Sequence, residues 1–310
     1  MREPVTNWQE ALTREEIREL LEIRDWRAWL SLSVDWGLIG ASFALVAAFP
    51  NPLSILVALA IIGSRQLGLA ILMHDAAHRA LLKSRFWNDW VGNWLCAYPV
   101  WNDVHPYRRY HLQHHAKTWT EEDPDLELAN PFPITRASLK RKVWRDLNGQ
   151  TGRKRLLAIL NRDLGRSRGR ARRDFGAGMQ ALHGVAITNA VIFGLLALFG
   201  HPLLYLLWVG AWFTTYSLVM RIRSIAEHAM VPDIADELKN TRTTLARWWE
   251  RLLIAPNRVN FHLEHHLLMT VPHYNLPRLH RLLTSRGVLG EACVAESYWE
   301  VLALAASKAA

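Results

Sequence analysis

The 310-residue sequence predicts an all-α fold, an integral-membrane four-helix bundle of two hairpins with a helical cap on one membrane side. Three observations predict it. Four apolar stretches each have about the 20 residues that a helix needs to cross a bilayer. They come as two pairs joined by tight turns. Nearly all of the basic charge lies on one side of those pairs.

The stretches are residues 29–49, 53–73, 181–199 and 202–220. Pro50-Asn51-Pro52 makes the first turn and Gly200-His201, ahead of Pro202, the second; proline and glycine supply the backbone that such turns require. Upstream, residues 12–28 read as an amphipathic helix for the membrane surface. Thr13 and Glu16 form a capping box, and Ile17, Leu20, Leu21 and Arg24 follow at helical spacing. The first 28 residues are charged and have no short apolar core, which argues against a cleavable signal. The chain is thus expected to divide into an interfacial segment 1–28, a main domain 29–283 whose cap is drawn from 74–180 and 221–283, and a C-terminal tail 284–310. Of 37 Lys and Arg, all but Arg65 fall in 1–28, 74–180 and 221–310. The positive-inside tendency then places both termini and the cap in the cytoplasm. Asp35 and Arg65 lie inside apolar blocks at similar depth in the first hairpin, and the cost of an isolated charge there predicts that they pair.

Composition narrows the function. With 50% hydrophobic residues the chain is not disordered. Two cysteines, Cys96 and Cys293, build neither a disulfide framework nor a four-cysteine metal site. Net charge is +9, and residues 136–173 carry 14 Lys and Arg against Asp146 and Asp163. No nucleic-acid recognition motif accompanies that charge. Anionic lipid head groups or an acidic electron carrier suit it better, and charge that merely sets topology is the plain alternative. Tryptophans such as Trp26, Trp29, Trp87 and Trp208 cluster near span ends, as interfacial anchors do.

The chemistry lies in the histidines. Fourteen are present, and three clusters stand out: His74-Asp75-Ala76-Ala77-His78, His111-Leu112-Gln113-His114-His115 and His262-Leu263-Glu264-His265-His266. Chance predicts roughly 0.03 copies of HxxHH in this chain, and it has two. On a helix, residues three and four apart share a face. His74 and His78 therefore point together if the second span runs on into the cap. Each HxxHH helix can present its imidazoles to two neighbouring metal ions. Imidazole suits iron, zinc, copper or nickel. There is no HExxH, which disfavours a zinc protease, and eight imidazoles are too many for one metal. Asp75, Asp123, Asp125 and Glu264 are candidates to orient the rings from behind. His105, His273 and His280 read as local structure, while His183 and His201 should not reach the clusters.

The boxes HDAAH, HLQHH and HLEHH, with the apolar hairpins between them, resemble the membrane fatty acid desaturase superfamily. The likeness runs from about residue 30 to 283 and takes in Glu122-Asp123-Pro124-Asp125 and the tail HLEHHLLMTVPHYNLPRLH. It implies two non-haem irons that use O2 and two electrons to remove hydrogen from unactivated CH2 groups. It also implies a further histidine after the fourth span, supplied by His228. By resemblance, His74, His78, His115 and His266 hold one iron, and His111, His114, His228, His262 and His265 the other. Relatives of the acyl-CoA type carry Asn four residues before the extra histidine, where this chain has Ser224. His262 stands where front-end members usually have Gln, and no fused haem domain is visible. The resemblance then implies a separate donor: ferredoxin, rubredoxin or a b-type cytochrome with its reductase.

The function expected is an O2-dependent desaturase acting on an acyl-lipid, acyl-CoA or acyl-carrier substrate. A hydroxylase or ketolase of a carotenoid or other lipid is the alternative on the same scaffold. A membrane metal transporter or sensor is the alternative of another class, but it needs ligands near mid-membrane.

Overall fold

The computed structural model describes residues 8–165 and 175–309. The chain opens with α1 (Arg14–Leu20), whose N-terminus carries the expected Thr13–Glu16 capping box. It is shorter than the 12–28 helix expected from spacing. The chain breaks after Leu20, and α2 (Asp25–Ala48) starts anew from an extended Arg24. Asn51 caps α3 (Pro52–Ala77), its side chain accepting from the Leu53 and Ser54 amides, with Pro52 in the first turn.

The cap begins with α4 (Arg85–Val91) and α5 (Val104–Lys117), followed by the single turn α6 (Leu126–Ala129) and the basic helices α7 (Arg136–Leu147) and α8 (Gln150–Asp163). Next come α9 (Phe175–Leu198), α10 (Tyr205–Phe213) and α11 (Thr215–His228). A break at Thr214 (φ −113°, ψ −87°) separates the last two. The cap is completed by α12 (Trp248–Leu253), α13 (His262–Leu267), α14 (Leu276–Ser285) and α15 (Tyr298–Ala305). A parallel ladder of two residues each, β1 (Thr243–Thr244) with β2 (Val294–Ala295), is the one sheet among the described residues.

Among the described residues, four helical segments are long and apolar enough to cross a membrane: Asp25–Ala48, Pro52–Ala77, Phe175–Leu198 and Pro202–His228. They cover the four expected stretches and extend three of them into the cap. At the hairpin tips Phe49, Leu53, Leu198, Phe199 and Leu203 are all more than 60% exposed. That is a surface for lipid rather than water. An apolar groove of about 660 Å³ opens between α2 and α9, lined by Trp36, Phe43, Ile192 and Phe199.

The helix α3 is the axis of the fold. Every residue from Ile62 to Ala77 is buried, because α2, α5, α10, α11 and α12 all pack on it. Two glycines make that possible. A Cβ on Gly63 would stand 2.7 Å from the Tyr216 backbone nitrogen, and one on Gly68 2.7 Å from Asp35 Cγ. Asp35 and Arg65 pair as expected, at 3.1 Å and buried. Asp35 also accepts from Asn257 Nδ2 at 2.7 Å, and Arg65 donates to the Leu252 carbonyl. The pair thus ties the α12–α13 connection to the first hairpin.

The two ends of the chain fold onto the cap. Leu20, buried in α1, packs with Leu263, Leu279 and Leu283, and Glu16 pairs with Arg286 at 2.5 Å. Tyr298 in α15 donates its amide to Glu250 Oε1 at 3.0 Å, and Val301 and Ala305 are buried against the main core. In the basic helices, Asp146 is buried and bound by Arg221 at 2.5 Å. Arg166, Arg168, Arg170, Arg172 and Arg173 lie outside the described residues.

Candidate metal centre

The spans α3 and α11 end in histidines, and each end is held by an arginine. A helix leaves its last four carbonyls without internal partners. Arg108, on α5, donates from Nη2 to Ala76 O and from Nε to Ala77 O, both at 2.8 Å, while Asp89 binds its outer face. Arg242 does the same for α11, reaching Ala226 O, Ala229 O and Met230 O at 2.8–3.1 Å. A cation at a helix C-terminus is also favoured by the helix dipole. These arginines fix where His74, His78 and His228 stand.

Nine histidines converge there in two groups. His74, His78, His111, His115 and His265 form one; His114, His228, His262 and His266 form the other. Within each group one nitrogen per ring lies within 4.8 Å of all the others. These are the nine residues singled out from sequence, but the partition differs from the one the resemblance implies. His111 and His265 join His74, and His266 joins His114. Helical geometry pairs ligands within each helix, and the way α5 and α13 meet decides which group each ligand joins. In α5 and α13 the i, i+4 pair stays together, as His111 with His115 and His262 with His266. The i+3 residue of each helix, His114 or His265, crosses to the other group. The groups touch, with the His115 and His266 ring centroids 4.3 Å apart.

The donor set fits two metal ions. Facing Nε2 atoms lie 2.9 Å apart for His111–His115 and His115–His265, 2.8 Å for His228–His262 and 3.2 Å for His114–His228. With metal–imidazole bonds of about 2.1 Å, adjacent ligands at right angles stand about 3.0 Å apart. Both ring nitrogens of His74 and of His78, and Nε2 of His266, are buried without a hydrogen-bond partner. A buried polar atom left so is costly, and a metal ion between the rings would satisfy it. Burial also holds the rings neutral, the form that ligates. It pushes His78 down to about 3 and His111, His262, His265 and His266 well below the usual imidazole range.

The carboxylates divide. Asp123 Oδ1 is hydrogen-bonded to His114 Nδ1 at 2.8 Å, and its two oxygens also accept from the Trp119 and Asp125 amides. That turns Nε2 of His114 towards its group. Asp125 lies 3.9 Å from the same Nδ1 and is bound instead by the Tyr110 hydroxyl. Asp75 and Glu264 mainly serve other histidines. Asp75 binds His273 Nδ1 at 2.7 Å and stands 3.7 Å from His74 Nδ1, and Glu264 binds His280 Nδ1 at 2.5 Å. His273 in turn meets Ser31 Oγ at 2.8 Å, so His273 and His280 are structural links around the site. Glu227 was missed: it lies 3.4 Å from His262 Nδ1 and is held by Arg223 at 2.6 Å. An acid next to His228 in an apolar helix was the available signal. Ser224 sits one turn before His228, half-buried.

Four spanning helices with buried histidines gathered at one end define a membrane protein whose polyhistidine cluster is capable of binding metal. The chain belongs to the fatty acid desaturase family, whose profile matches residues 50–296, and is an oxidoreductase. It is 28% identical over 292 residues to dihydrorhizobitoxine desaturase of Bradyrhizobium elkanii, covering 87% of this chain and 79% of that protein. It is 26% identical over 292 residues to sn-1 oleoyl-lipid 12-desaturase of a Picosynechococcus species, covering 84% and 77%. A 101-residue stretch is 33% identical to the chloroplastic omega-6 fatty acid desaturase of Brassica napus, covering 33% and 22%.

Proposed function

We propose that this protein is an O2-dependent desaturase that places a double bond in the acyl chain of a membrane lipid, with two irons in the histidine groups. The observation that carries the reading is the pair of touching imidazole groups at the ends of spanning helices, in a chain of the desaturase family. His74, His78, His111, His115 and His265 would hold one ion, and His114, His228, His262 and His266 the other. Two irons held there would supply, with O2, the oxidising power that breaking an alkyl C–H bond requires. The net reaction takes two hydrogens from adjacent CH2 groups and, with two electrons and two protons, reduces O2 to two waters.

The protein's part is placement and dryness. Burial of the rings excludes water. Asp123 fixes the His114 ring, Glu227 stands behind His262, and Arg108 and Arg242 fix the helix ends. The electrons are expected from a separate ferredoxin, rubredoxin or b-type cytochrome, docking on the basic cap. The charge asymmetry supports a cytoplasmic position for that cap and both termini.

A second reading concerns the substrate alone. The relative named dihydrorhizobitoxine desaturase matches across 87% of this chain, which favours a substrate other than a fatty acyl chain on the same centre. Expression in a host of simple lipid composition, followed by mass spectrometry of its lipids and small metabolites, tests both. A new fatty acid two mass units lighter, lost in His111→Ala and in His266→Ala, supports the first. A product that retains oxygen marks a hydroxylase or ketolase instead. No O2-dependent product from an iron-loaded protein would overturn the proposal.

A further inference from the structure

A second cavity, of about 350 Å³, lies beside the start of the first span and is built from Arg24, Arg27, Arg258, Arg278, Arg281 and Tyr274. Arg24 is paired with Glu22 and Arg278 with Glu19. Among the described residues no carboxylate lies within ion-pair range of Arg27, Arg258 or Arg281, so the cavity gathers three uncompensated guanidinium groups. Arg27 Nε is buried without a hydrogen-bond partner, while its guanidinium carbon lies 5.4 Å from the Tyr274 ring centroid. Like charges gathered without counterions repel, and a bound anion relieves that. Guanidinium groups bind phosphate oxygens two at a time.

The backbone is arranged for it. Asn257 and Arg258 both take left-handed φ, 50° and 62°, which non-glycine residues adopt at a cost. Asn257 is held in that form by its bonds to Asp35 and Gly68 O, and Arg258 is thereby turned to the cavity. Tyr274 is fixed by the Arg24 amide, which donates to its hydroxyl at 2.7 Å.

Depth selects the ligand. Arg24 is the N-cap residue of the spanning helix α2 and Arg27 lies in its first turn, and Trp26 and Trp29 at the same level are exposed. Arginine and exposed tryptophan together mark the head-group layer of a bilayer. The cavity also backs onto the histidines. Arg258 follows Asn257, and Tyr274 follows His273, and both of those neighbours line a small pocket with His74, His262 and His265.

We propose that this cavity is a phosphate site for the head group of a glycerophospholipid in the leaflet on the cap side. It deepens the proposed function by naming the head group of the substrate, and in that respect rests on it; the binding itself does not. Lipid binding to the purified, metal-loaded full chain is to be measured by native mass spectrometry in non-ionic detergent. The probes are phosphatidylglycerol, uncharged diacylglycerol, coenzyme A and inorganic phosphate. Arg258→Gln with Arg281→Gln, both exposed and unpaired, is expected to weaken phosphatidylglycerol binding about tenfold. Arg14→Gln with Lys308→Gln, exposed elsewhere, is expected to leave it unchanged. Equal affinity in the first double variant, or diacylglycerol bound as tightly as phosphatidylglycerol, would overturn the site. Displacement of the lipid by coenzyme A or phosphate at matched concentration would overturn the lipid assignment in favour of a soluble phosphate compound. His111→Ala separates the two claims, since it should lose metal and keep lipid. If desaturation fails while arginine-dependent lipid binding persists, the bound lipid is not a substrate of a desaturase and only that assignment falls.

Discussion

His114 shows what a single side chain must satisfy here. Its Nδ1 is taken by Asp123, which leaves Nε2 to face His228 at 3.2 Å. Outer carboxylates of this kind commonly contribute 10- to 100-fold to metal affinity or activity. Asp123→Asn is therefore expected to lower metal retention in the second group by about tenfold or more, read as metal content after dialysis against a chelator, with His183→Ala as the unaffected control. The role of Asp123 could be read from its place nine residues after His114 in the same local stretch. That of Glu227 could not, because His262 follows it at a distance of 35 residues and only the folded chain brings the two side chains together. Asp75 was legible as a ring-orienting acid, yet its ring is that of His273, brought from the far end of the sequence.

Helix ends and helix contacts decide where the groups form. With Arg108→Gln the Ala77 carbonyl loses its donor and the Ala76 carbonyl keeps only Asn88 Nδ2 and the Arg79 amide, so the end of α3 loosens. Metal loss is then expected from the group containing His74 and His78 while the group containing His228 keeps its ion, a change that metal counting alongside spectroscopy of each site would detect. The ion pair inside the first hairpin gives a second case. Arg65→Met leaves Asp35 charged and unpaired among buried atoms, and breaking a buried pair from one side costs about 3–5 kcal/mol. Asp35→Leu with Arg65→Met should recover most of that, as thermal unfolding in detergent would show. The pair was legible because two charges stood opposite one another in otherwise apolar blocks. The arginine clamps were not, since nothing in the spacing of Arg108 or Arg242 tells them from surface arginines. The early end of α1 escaped notice for a related reason: helical spacing runs on through Arg24, but Leu20 turns into the α14 contact and the chain must change direction to enter α2.

At the scale of the whole molecule, the hairpins and the three boxes carried most of the fold and of the candidate site. Length, hydropathy and charge placement are local properties, and the histidine clusters are contiguous. The partition of nitrogens between the groups was not local, because it depends on how α5 and α13 are rotated against each other. The buried rings also set the response to acid. Their neutral forms are favoured in the folded chain, so an unfolded chain, with ordinary imidazoles, binds more protons below about pH 6.5. The metal-free protein should hold its full stability above that value and lose it progressively as pH falls towards 3, the value to which His78 is displaced. Melting temperatures of chelated samples across that window would show no such fall if the rings were solvated. Finally, both groups draw on α13, which is made late. While residues 262–266 are still inside the ribosome, the nascent chain offers four of the five nitrogens of one group and two of the four of the other. A complete set of nitrogens therefore exists in either group only once residue 266 has been made, after the segments of both hairpins, and a translation product arrested before residue 262 has no complete cage to fill.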